Sequence, residues 1–304
     1  MKKPLSYSGY STFQTCAYKY QLQYIDRIAP DSTPLHLVVG SAFDKAGNAL
    51  LEGKGDPFTE ANAELARIFF DKIEYSHKDF ESQILCPVSY GAMMLDLRTI
   101  GWKGEDNELY QMADALFDKL SRGETLSVGQ KSALDTMVYY TAVEKISLMI
   151  EGFKNHILPK IEKVVSVQKN VKRGIMDAEV IFKDMPGVVC LDNKTASRPY
   201  KNDSVLFSVQ LAGYESLIGA YCVFHKSVKP GAREIVPQLI INKIPEHNRA
   251  IVEEAYQKTE ALIETNVFPR NLNACGKSFG KPCVYVSLCW NNSMEGLVKK
   301  DEKV

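Results

Sequence analysis

Two neighbouring runs decide the fold of this chain: Gly174-Ile175-Met176-Asp177-Ala178-Glu179-Val180-Ile181-Phe182 and Val188-Val189-Cys190-Leu191-Asp192-Asn193-Lys194-Thr195. In the first run apolar residues alternate with acidic ones, which is the two-residue period of a strand and sets Asp177 away from the apolar face. The same period places Asp192 and Lys194 on one face of the second strand. Residues 185–187, Met-Pro-Gly, form a turn between the two runs. The sequence therefore predicts a hairpin on which two carboxylates and one ammonium group converge.

This trio of side chains predicts a site for a divalent cation. Two carboxylates repel each other unless a cation lies between them, and carboxylate oxygens suit Mg²⁺ or Mn²⁺. A lysine beside such an ion orients a water molecule or stabilises the charge that develops on a phosphoryl oxygen. Metal-assisted phosphodiester hydrolysis uses this combination. The alternative is an edge hairpin with solvated charges, since surface strands often carry them.

The surrounding residues resemble the RecB-like branch of the PD-(D/E)xK nuclease superfamily. The shared pattern is Gly-x-x-Asp ending at Asp177, then Asp-x-Lys-Thr fifteen positions later, then Gln210-x-x-x-Tyr214. The resemblance implies an α/β fold with a restriction-endonuclease-like core, in which helices flank a mixed central sheet, and a large helical insertion. The residues with implied catalytic roles are Lys194, Asp177, Asp192, Gln210 and Tyr214, and the implied metal ligands are Asp177, Asp192, Asn193 through its carbonyl, and Asp44.

Two positions depart from the resembling family. Asp44 stands where a metal-binding histidine is expected, and a carboxylate is a competent ligand for Mg²⁺ or Mn²⁺. The alternative for Asp44 is a first-turn helix residue favoured by the helix dipole. Gln168 stands near a glutamate of many relatives and cannot act as a base, so Glu179 is the nearest substitute. These departures support a second hypothesis, a nucleic-acid-binding or scaffold protein that keeps the nuclease fold with an inactive site.

The cysteines suggest a second metal centre. The chain has seven of them: Cys16, Cys86, Cys190, Cys222, Cys275, Cys283 and Cys289. An odd number without a secretion signal argues against a disulfide framework. The last three resemble the C-terminal cysteines of iron–sulfur relatives such as AddB-type and CRISPR-associated exonucleases, and this resemblance implies that they hold a 4Fe-4S cluster together with Cys16. Zn²⁺ and free thiols are the alternatives, and the absence of a Cys-x-x-Cys pair disfavours a zinc ribbon.

Hydrophobic periodicity predicts the organisation of the chain. We expect a single nuclease domain over residues 1–304, with N-terminal helices in 1–50, a helical insertion in 59–158, the catalytic core in 160–265 and a cysteine-containing segment in 266–304. The predicted helices are 6–27, Glu60–Lys72, Gly91–Thr99, Asn107–Leu120, Val128–Asn155, Asp203–Phe224 and Glu246–Asn266, and further strands are predicted at 164–171 and Glu234–Lys243. Helically spaced aromatic residues in the first helix indicate core packing, with base stacking as the alternative: Phe13, Tyr20 and Tyr24.

Charge and hydropathy bear on partners and location. The 304 residues include 37 basic and 37 acidic ones, and this balance argues against a DNA-binding protein, which normally carries a basic surplus. A local surplus between Lys154 and Lys201 partly offsets that objection. No apolar run approaches the ~20 residues that span a bilayer, and no signal peptide is evident, so we expect no membrane and a cytoplasmic location.

Together the residues and the resemblance imply a function. The first hypothesis is a metal-dependent DNA exonuclease that hydrolyses phosphodiester bonds at DNA ends or in single strands during recombination, repair or replication. Its expected setting is a bacterial or phage-infected cell. A recombination or replication protein is a candidate partner.

Overall fold

The computed structural model describes residues 4–69, 73–75, 87–100, 108–196, 198–225, 235–276 and 282–300. The helices are α1 (Tyr7–Thr15), α2 (Ala17–Tyr20), α3 (Leu35–Glu52), α4 (Pro57–Phe69), α5 (Pro87–Thr99), α6 (Leu109–Ser121), α7 (Val128–His156), α8 (Val209–Gly213), α9 (Glu246–Glu264) and α10 (Val286–Asn291). The strands are β1 (Ile28–Pro30), β2 (Thr33–Pro34), β3 (Ile73–Glu74), β4 (Ile161–Val171), β5 (Gly174–Phe182), β6 (Val189–Ala196), β7 (Ile218–His225), β8 (Gln238–Lys243) and β9 (Leu297–Lys299).

A mixed five-stranded sheet in the order β4-β5-β6-β7-β8 forms the centre of the molecule. Strand β6 runs parallel to β7, and the other neighbouring pairs are antiparallel. The predicted hairpin is confirmed, because β5 and β6 pair antiparallel in a register that sets Ala178 opposite Leu191. Strand β8 lies at the sheet edge, as the proline at position 237 suggested. The α/β fold with a mixed sheet flanked by helices is thus the expected one.

Two apolar cores cover the two faces of the sheet. The larger one packs α3 to α7 against β5, β6 and β7, and the smaller one packs α8 and the following residues against the opposite face. The alternation predicted for β5 is confirmed, because Met176, Ala178 and Val180 are buried while Asp177 is only half-buried. The four helices predicted between residues 59 and 158 correspond to α4, α5, α6 and α7.

The long helix predicted from Asp203 to Phe224 is wrong. Turns occupy residues 202–207, α8 spans only five residues, and β7 begins at Ile218. Strand β7 is central and has apolar layers on both faces, so residues 219–224 are all buried. A strand covered on both sides is apolar at every position, and its sequence does not show the two-residue period that would separate it from a buried helix.

The two ends of the described chain meet. Strands β1 and β9 pair antiparallel, with Ile28 opposite Lys299, and the Tyr285 hydroxyl donates to the Ile28 carbonyl at 2.8 Å. The helix predicted over residues 6–27 is interrupted at Cys16, which is extended with φ −163°. Its N-cap is Ser6, not the serines at positions 8 or 11.

The aromatic rings of the first helices pack against one another, but none lies in the buried core: Phe13 and Tyr20 are half-buried and Tyr24 is exposed. Phe13 meets Tyr20 edge-on with the ring centroids 5.6 Å apart, and Tyr20 stacks on Tyr24 at 5.0 Å. Phe268 from the C-terminal part contacts both Phe13 and Tyr20. These contacts help to hold the N- and C-terminal segments together.

Some predicted features lie outside the described residues. They are Cys86, the glycine-containing loop at residues 277–281, and the end of the helix predicted to reach Lys72. Within the ranges that the structure describes, no helix is both long and apolar enough to cross a membrane.

Candidate active site

The two central carboxylates lie where β5 and β6 separate. The last paired residues at this end are Ala178 and Leu191, so Asp177 and Asp192 follow one step further along the same register. The backbone N–H of Asn193 donates to Asp177 Oδ2 at 2.9 Å. Asp192 is 1% exposed, whereas Asp177 is half-buried. The separation of the strands thus opens a recess with an acidic side chain on each strand.

A chain of polar contacts joins Asp192 to α8. Lys194 Nζ lies 2.6 Å from Asp192 Oδ2 and donates to Gln210 Oε1 at 2.9 Å. Gln210 Nε2 donates to Asp192 Oδ1 and to the Tyr214 hydroxyl oxygen, each at 2.9 Å. The Tyr214 hydroxyl in turn donates to the Ile175 carbonyl at 3.0 Å. These bonds fix the orientation of each side chain and satisfy the half-buried amide of Gln210.

The position of Gln210 follows from the start of α8. The Ser208 hydroxyl accepts from the Leu211 N–H at 3.0 Å and caps the helix. Gln210 and Tyr214 are four residues apart and therefore lie on one side of the helical turn, as predicted although the helix is short. The cap thus sets the side chain of Gln210 opposite Asp192.

Helix α3 brings a third carboxylate to the site. Gly40, Asp44 and Gly47 lie on one helix face, because they are four and three positions apart. A Cβ atom at Gly47 would stand 3.6 Å from Asn193 Nδ2, and one at Gly40 would stand 3.8 Å from Thr195 Oγ1. The glycines therefore let α3 approach β6, and Asp44 is held between them.

The carboxylates are crowded electrostatically. Burial raises the pKa of Asp192 to about 7, and Asp177 adds to the shift by repulsion while Lys194 opposes it. Burial also raises the pKa of Asp177. The pKa of Asp44 rises to about 7 through burial and through repulsion by the other two carboxylates, although part of its surface is open to solvent. Burial by itself would lower the pKa of Lys194, but Asp192 and Asp177 outweigh it and raise that pKa.

The donor atoms at this site suit a hard divalent cation. They are carboxylate oxygens, and the buried Asp192 Oδ2 has the Lys194 ammonium as its neighbour at 2.6 Å. An ion bound there would relieve the repulsion among the acids. Among the described residues, however, no three acidic, histidine or cysteine side chains are close enough together to hold one metal ion. Lys194 and Gln210 instead engage Asp192 directly.

A family model of the PD-(D/E)XK nuclease superfamily matches residues 4–261. The chain belongs to this superfamily. Membership of the PD-(D/E)XK nucleases implies a hydrolase that acts on nucleic acid, and these enzymes generally use Mg²⁺ or Mn²⁺. No curated protein sequence matches the chain.

In this PD-(D/E)XK chain, Gln168 and its nearest acidic substitute, Glu179, contact different neighbours. Gln168 is level with Asp177 on the neighbouring strand, since the residues on either side of each are paired, and its φ of 50° is left-handed. Its side chain contacts Asn48 at the surface. Glu179 accepts a bond from Ser166 at 2.7 Å and pairs with Lys169, also on β4, at 3.0 Å. Glu179 is therefore paired with side chains of β4.

The structure brings four cysteines to one cavity. A pocket of about 380 Å³ between α1, α10 and the segment before α10 is lined by Cys16, Cys275, Cys283 and Cys289. The backbone N–H of Asn271 approaches Cys16 Sγ at 3.4 Å, and the N–H of Cys283 donates to the Cys275 carbonyl at 2.8 Å. The thiols are too far apart for three of them to share one ion in this arrangement. Cys190 and Cys222 are buried in the sheet, as expected.

The sequence pattern did not reveal Tyr221. Its ring centroid lies 5.8 Å from Lys194 Nζ, and its hydroxyl hydrogen-bonds the hydroxyl of Ser208 beneath α8. In the parallel pairing of β6 with β7, Tyr221 is the partner of Asp192. The run that contains Tyr221 was predicted as a helix, and a helix would not have paired Tyr221 with Asp192.

Proposed function

We propose that this chain is a divalent-metal-dependent deoxyribonuclease that acts on DNA ends or single strands as an exonuclease. The observation that carries the proposal is the grouping of Asp177, Asp192 and Lys194 where β5 and β6 separate, with Gln210 bonded to both Asp192 and Lys194. Folding alone does not favour three ionisable side chains at buried and half-buried strand positions, because burial of charge is costly. Membership of the PD-(D/E)XK superfamily supports the same activity.

Asp177, Asp192 and the carbonyl of Asn193 would hold Mg²⁺ or Mn²⁺, and Asp44 would add a further carboxylate from α3. The ion would polarise the phosphoryl oxygen and lower the pKa of a bound water. In the structure the neighbouring carboxylates raise the pKa of Lys194, which favours its charged ammonium form. We therefore assign Lys194 the stabilisation of negative charge on the phosphoryl oxygen rather than removal of a proton from water.

Gln210 and Tyr214 hold this arrangement in place. Gln210 accepts from Lys194 and donates to Asp192, so it keeps the ammonium group beside the carboxylate. Tyr214 anchors Gln210 to the backbone of β5 through Ile175. Without Gln210, or without the Tyr214 hydroxyl that anchors Gln210, the Lys194 ammonium would contact Asp192 alone. Its charge would then be turned away from the substrate.

Single substitutions test the assignment. Asp192→Ala and Lys194→Ala are each expected to abolish cleavage of labelled single- and double-stranded DNA in Mg²⁺ or Mn²⁺, as EDTA does for the unmodified protein. Matched controls on the same hairpin are Asp184→Ala and Lys183→Ala, both exposed and outside the site. Circular dichroism spectra of all four variants show whether each is folded. Cleavage retained by a folded Asp192→Ala or Lys194→Ala variant would refute the proposal.

One observation favours a second function, a nucleic-acid-binding or scaffold protein with an inactive site. Gln168 places an amide level with Asp177, where many relatives have an acidic group. An amide has no charge with which to hold a metal or accept a proton. This second function predicts DNA binding without cleavage under every metal condition. If cleavage does occur, end-blocked substrates in the same assay distinguish exonuclease from endonuclease action.

We also propose that the four cysteines of the N- and C-terminal segments hold a 4Fe-4S cluster, with Zn²⁺ as the alternative. In support, Cys16, Cys275, Cys283 and Cys289 line one cavity although they are far apart in sequence. Thiolates suit both groups. The test is metal and sulfide analysis of anaerobically purified protein, with Cys275→Ser expected to lose the metal and Cys222→Ala to keep it. Metal-free protein from such a preparation would contradict the proposal.

A further inference from the structure

A groove extends from the catalytic lysine along α1. It has a volume of about 610 Å³, and Lys194, Gln210 and Tyr221 form its wall at the active site. The other walls come from α1 and from residues 200–209, the segment before and at the start of α8. Thr15 lines both this groove and the cysteine-lined cavity. Thr15 therefore lies between the groove and the cysteine-lined cavity.

The chemistry of the groove differs from that of a phosphate-binding surface. Among its described lining residues, Lys194 is the one cationic side chain and none is acidic. The rest are mainly aromatic, hydroxyl and amide side chains, including Tyr10, Tyr200, Phe207 and Ser204. Aromatic rings stack on bases, and hydroxyl and amide groups bond base edges. The exposed cations Arg198 and Lys201 flank Tyr200 in sequence, outside the groove lining.

Phe207 is the most unusual residue in the groove, because it is 73% exposed beside buried neighbours. Val205 is fully buried, and Ser208 caps α8 and bonds Tyr221. Asn248 Nδ2 donates to the Leu206 carbonyl at 2.9 Å. Since the backbone on both sides of Phe207 is anchored, the exposure of its ring follows from a fixed conformation.

Three other rings of the groove, those of Tyr10, Tyr200 and Tyr221, are already held by contacts with other rings. Tyr10 packs on Tyr256 with the ring centroids 4.5 Å apart, and Tyr200 meets Tyr221 edge-on at 5.7 Å. No ring partner is found for Phe207 within the described part of the chain. Phe207 is thus the most exposed aromatic surface among the described lining residues of the groove.

We propose that the groove binds unpaired nucleotides next to the phosphodiester bond to be cleaved, and that a base stacks on Phe207. This inference rests on the proposed nuclease function and specifies its substrate as single-stranded nucleic acid at that position. Bases in a duplex are stacked on one another and paired, so only an unpaired base can turn its face to Phe207. Because Lys194 belongs to both the groove and the active site, a base bound in the groove would lie beside the reacting phosphate.

The test is equilibrium binding, which needs no catalysis. Fluorescence anisotropy of a labelled single-stranded oligonucleotide, with EDTA present, gives the Kd of each variant. Phe207→Ala is expected to raise the Kd by about 5- to 150-fold, the range for loss of one base–aromatic stack. Phe207→Tyr keeps a ring and should restore most of the affinity. Ile251→Ala removes an apolar side chain that is 61% exposed on α9, outside the groove, and is expected to leave the Kd unchanged.

A second measurement locates the contact. A single abasic nucleotide is moved along the oligonucleotide, and at one position it should weaken binding to the unmodified protein but not to Phe207→Ala. A Kd for Phe207→Ala equal to that of the unmodified protein overturns the inference, as does an equal loss for blunt duplex DNA. If Phe207 controls binding but no DNA is cleaved, the proposed function fails while the groove assignment stands. If DNA is cleaved and Phe207→Ala binds normally, only the groove assignment fails.

Discussion

Replacing Arg173 with methionine is expected to lower the free energy of unfolding by about 2–4 kcal/mol. The residue is 1% exposed; its Nη1 donates to Glu260 at 2.6 Å, and its Nη2 donates to Glu253 at 2.9 Å. Its guanidinium carbon lies 4.3 Å from the centroid of the Tyr256 ring. The substitution removes the cation that pairs with Glu260 and leaves Glu253 paired with Lys172 alone. Because the Glu253 and Glu260 side chains are 31% and 34% exposed, water recovers part of this loss, and the cost stays below about 5 kcal/mol.

The adjacent residue provides a matched control. Lys172 Nζ lies 2.7 Å from the same Glu253 oxygen, but its side chain is 45% exposed. An exposed pair contributes little, so Lys172→Met should cost less than about 1 kcal/mol. Urea unfolding followed by far-ultraviolet circular dichroism measures both variants. The reasoning is refuted if the two substitutions cost the same, or if Arg173→Met costs under about 1 kcal/mol.

Two further substitutions test packing and pH dependence. Gly152→Ala should destabilise the protein by about 2 kcal/mol or more, because the new Cβ would overlap the backbone carbonyl of Ile235, whereas Gly129→Ala on the same helix meets nothing within 4 Å and should cost nothing. Equal thermal denaturation midpoints for the two variants would contradict the packing. Hydrogen bonds from Arg67 lower the pKa of Glu64 from 4.5 to about 2, so this carboxylate stabilises the fold above pH 4.5 and loses that effect as the pH falls towards 2. Glu64→Gln should therefore cost up to about 1 kcal/mol at pH 7 and nothing near pH 2 in urea unfolding, and a cost independent of pH would exclude this origin.

Local pattern was enough to predict the hairpin and its charges. The alternation in residues 175–182 and the spacing of Asp192 and Lys194 depend on the two-residue period of a strand, which holds in any tertiary context. The i, i+4 spacing of Gln210 and Tyr214 likewise predicted a shared side of a helical turn. These parts of the site needed no knowledge of what packs around them.

Other features depended on the whole fold. The run that ends in β7 was predicted as a helix because a central strand with both faces covered is apolar throughout, and only its pairing with β6 sets Tyr221 beside Asp192. The approach of α3, which brings Asp44 to the site, and the exposure of Phe207 are likewise tertiary.

The sequence by itself determined which ionisable groups lie on one strand face, because periodicity is a property of neighbouring residues. Only the tertiary structure decided which distant groups they meet, such as Asp44 across from β6 or Cys16 in one cavity with Cys275. The physical reason is that burial and electrostatic repulsion depend on everything that surrounds a side chain. These contacts arise between segments that local pattern does not relate to one another.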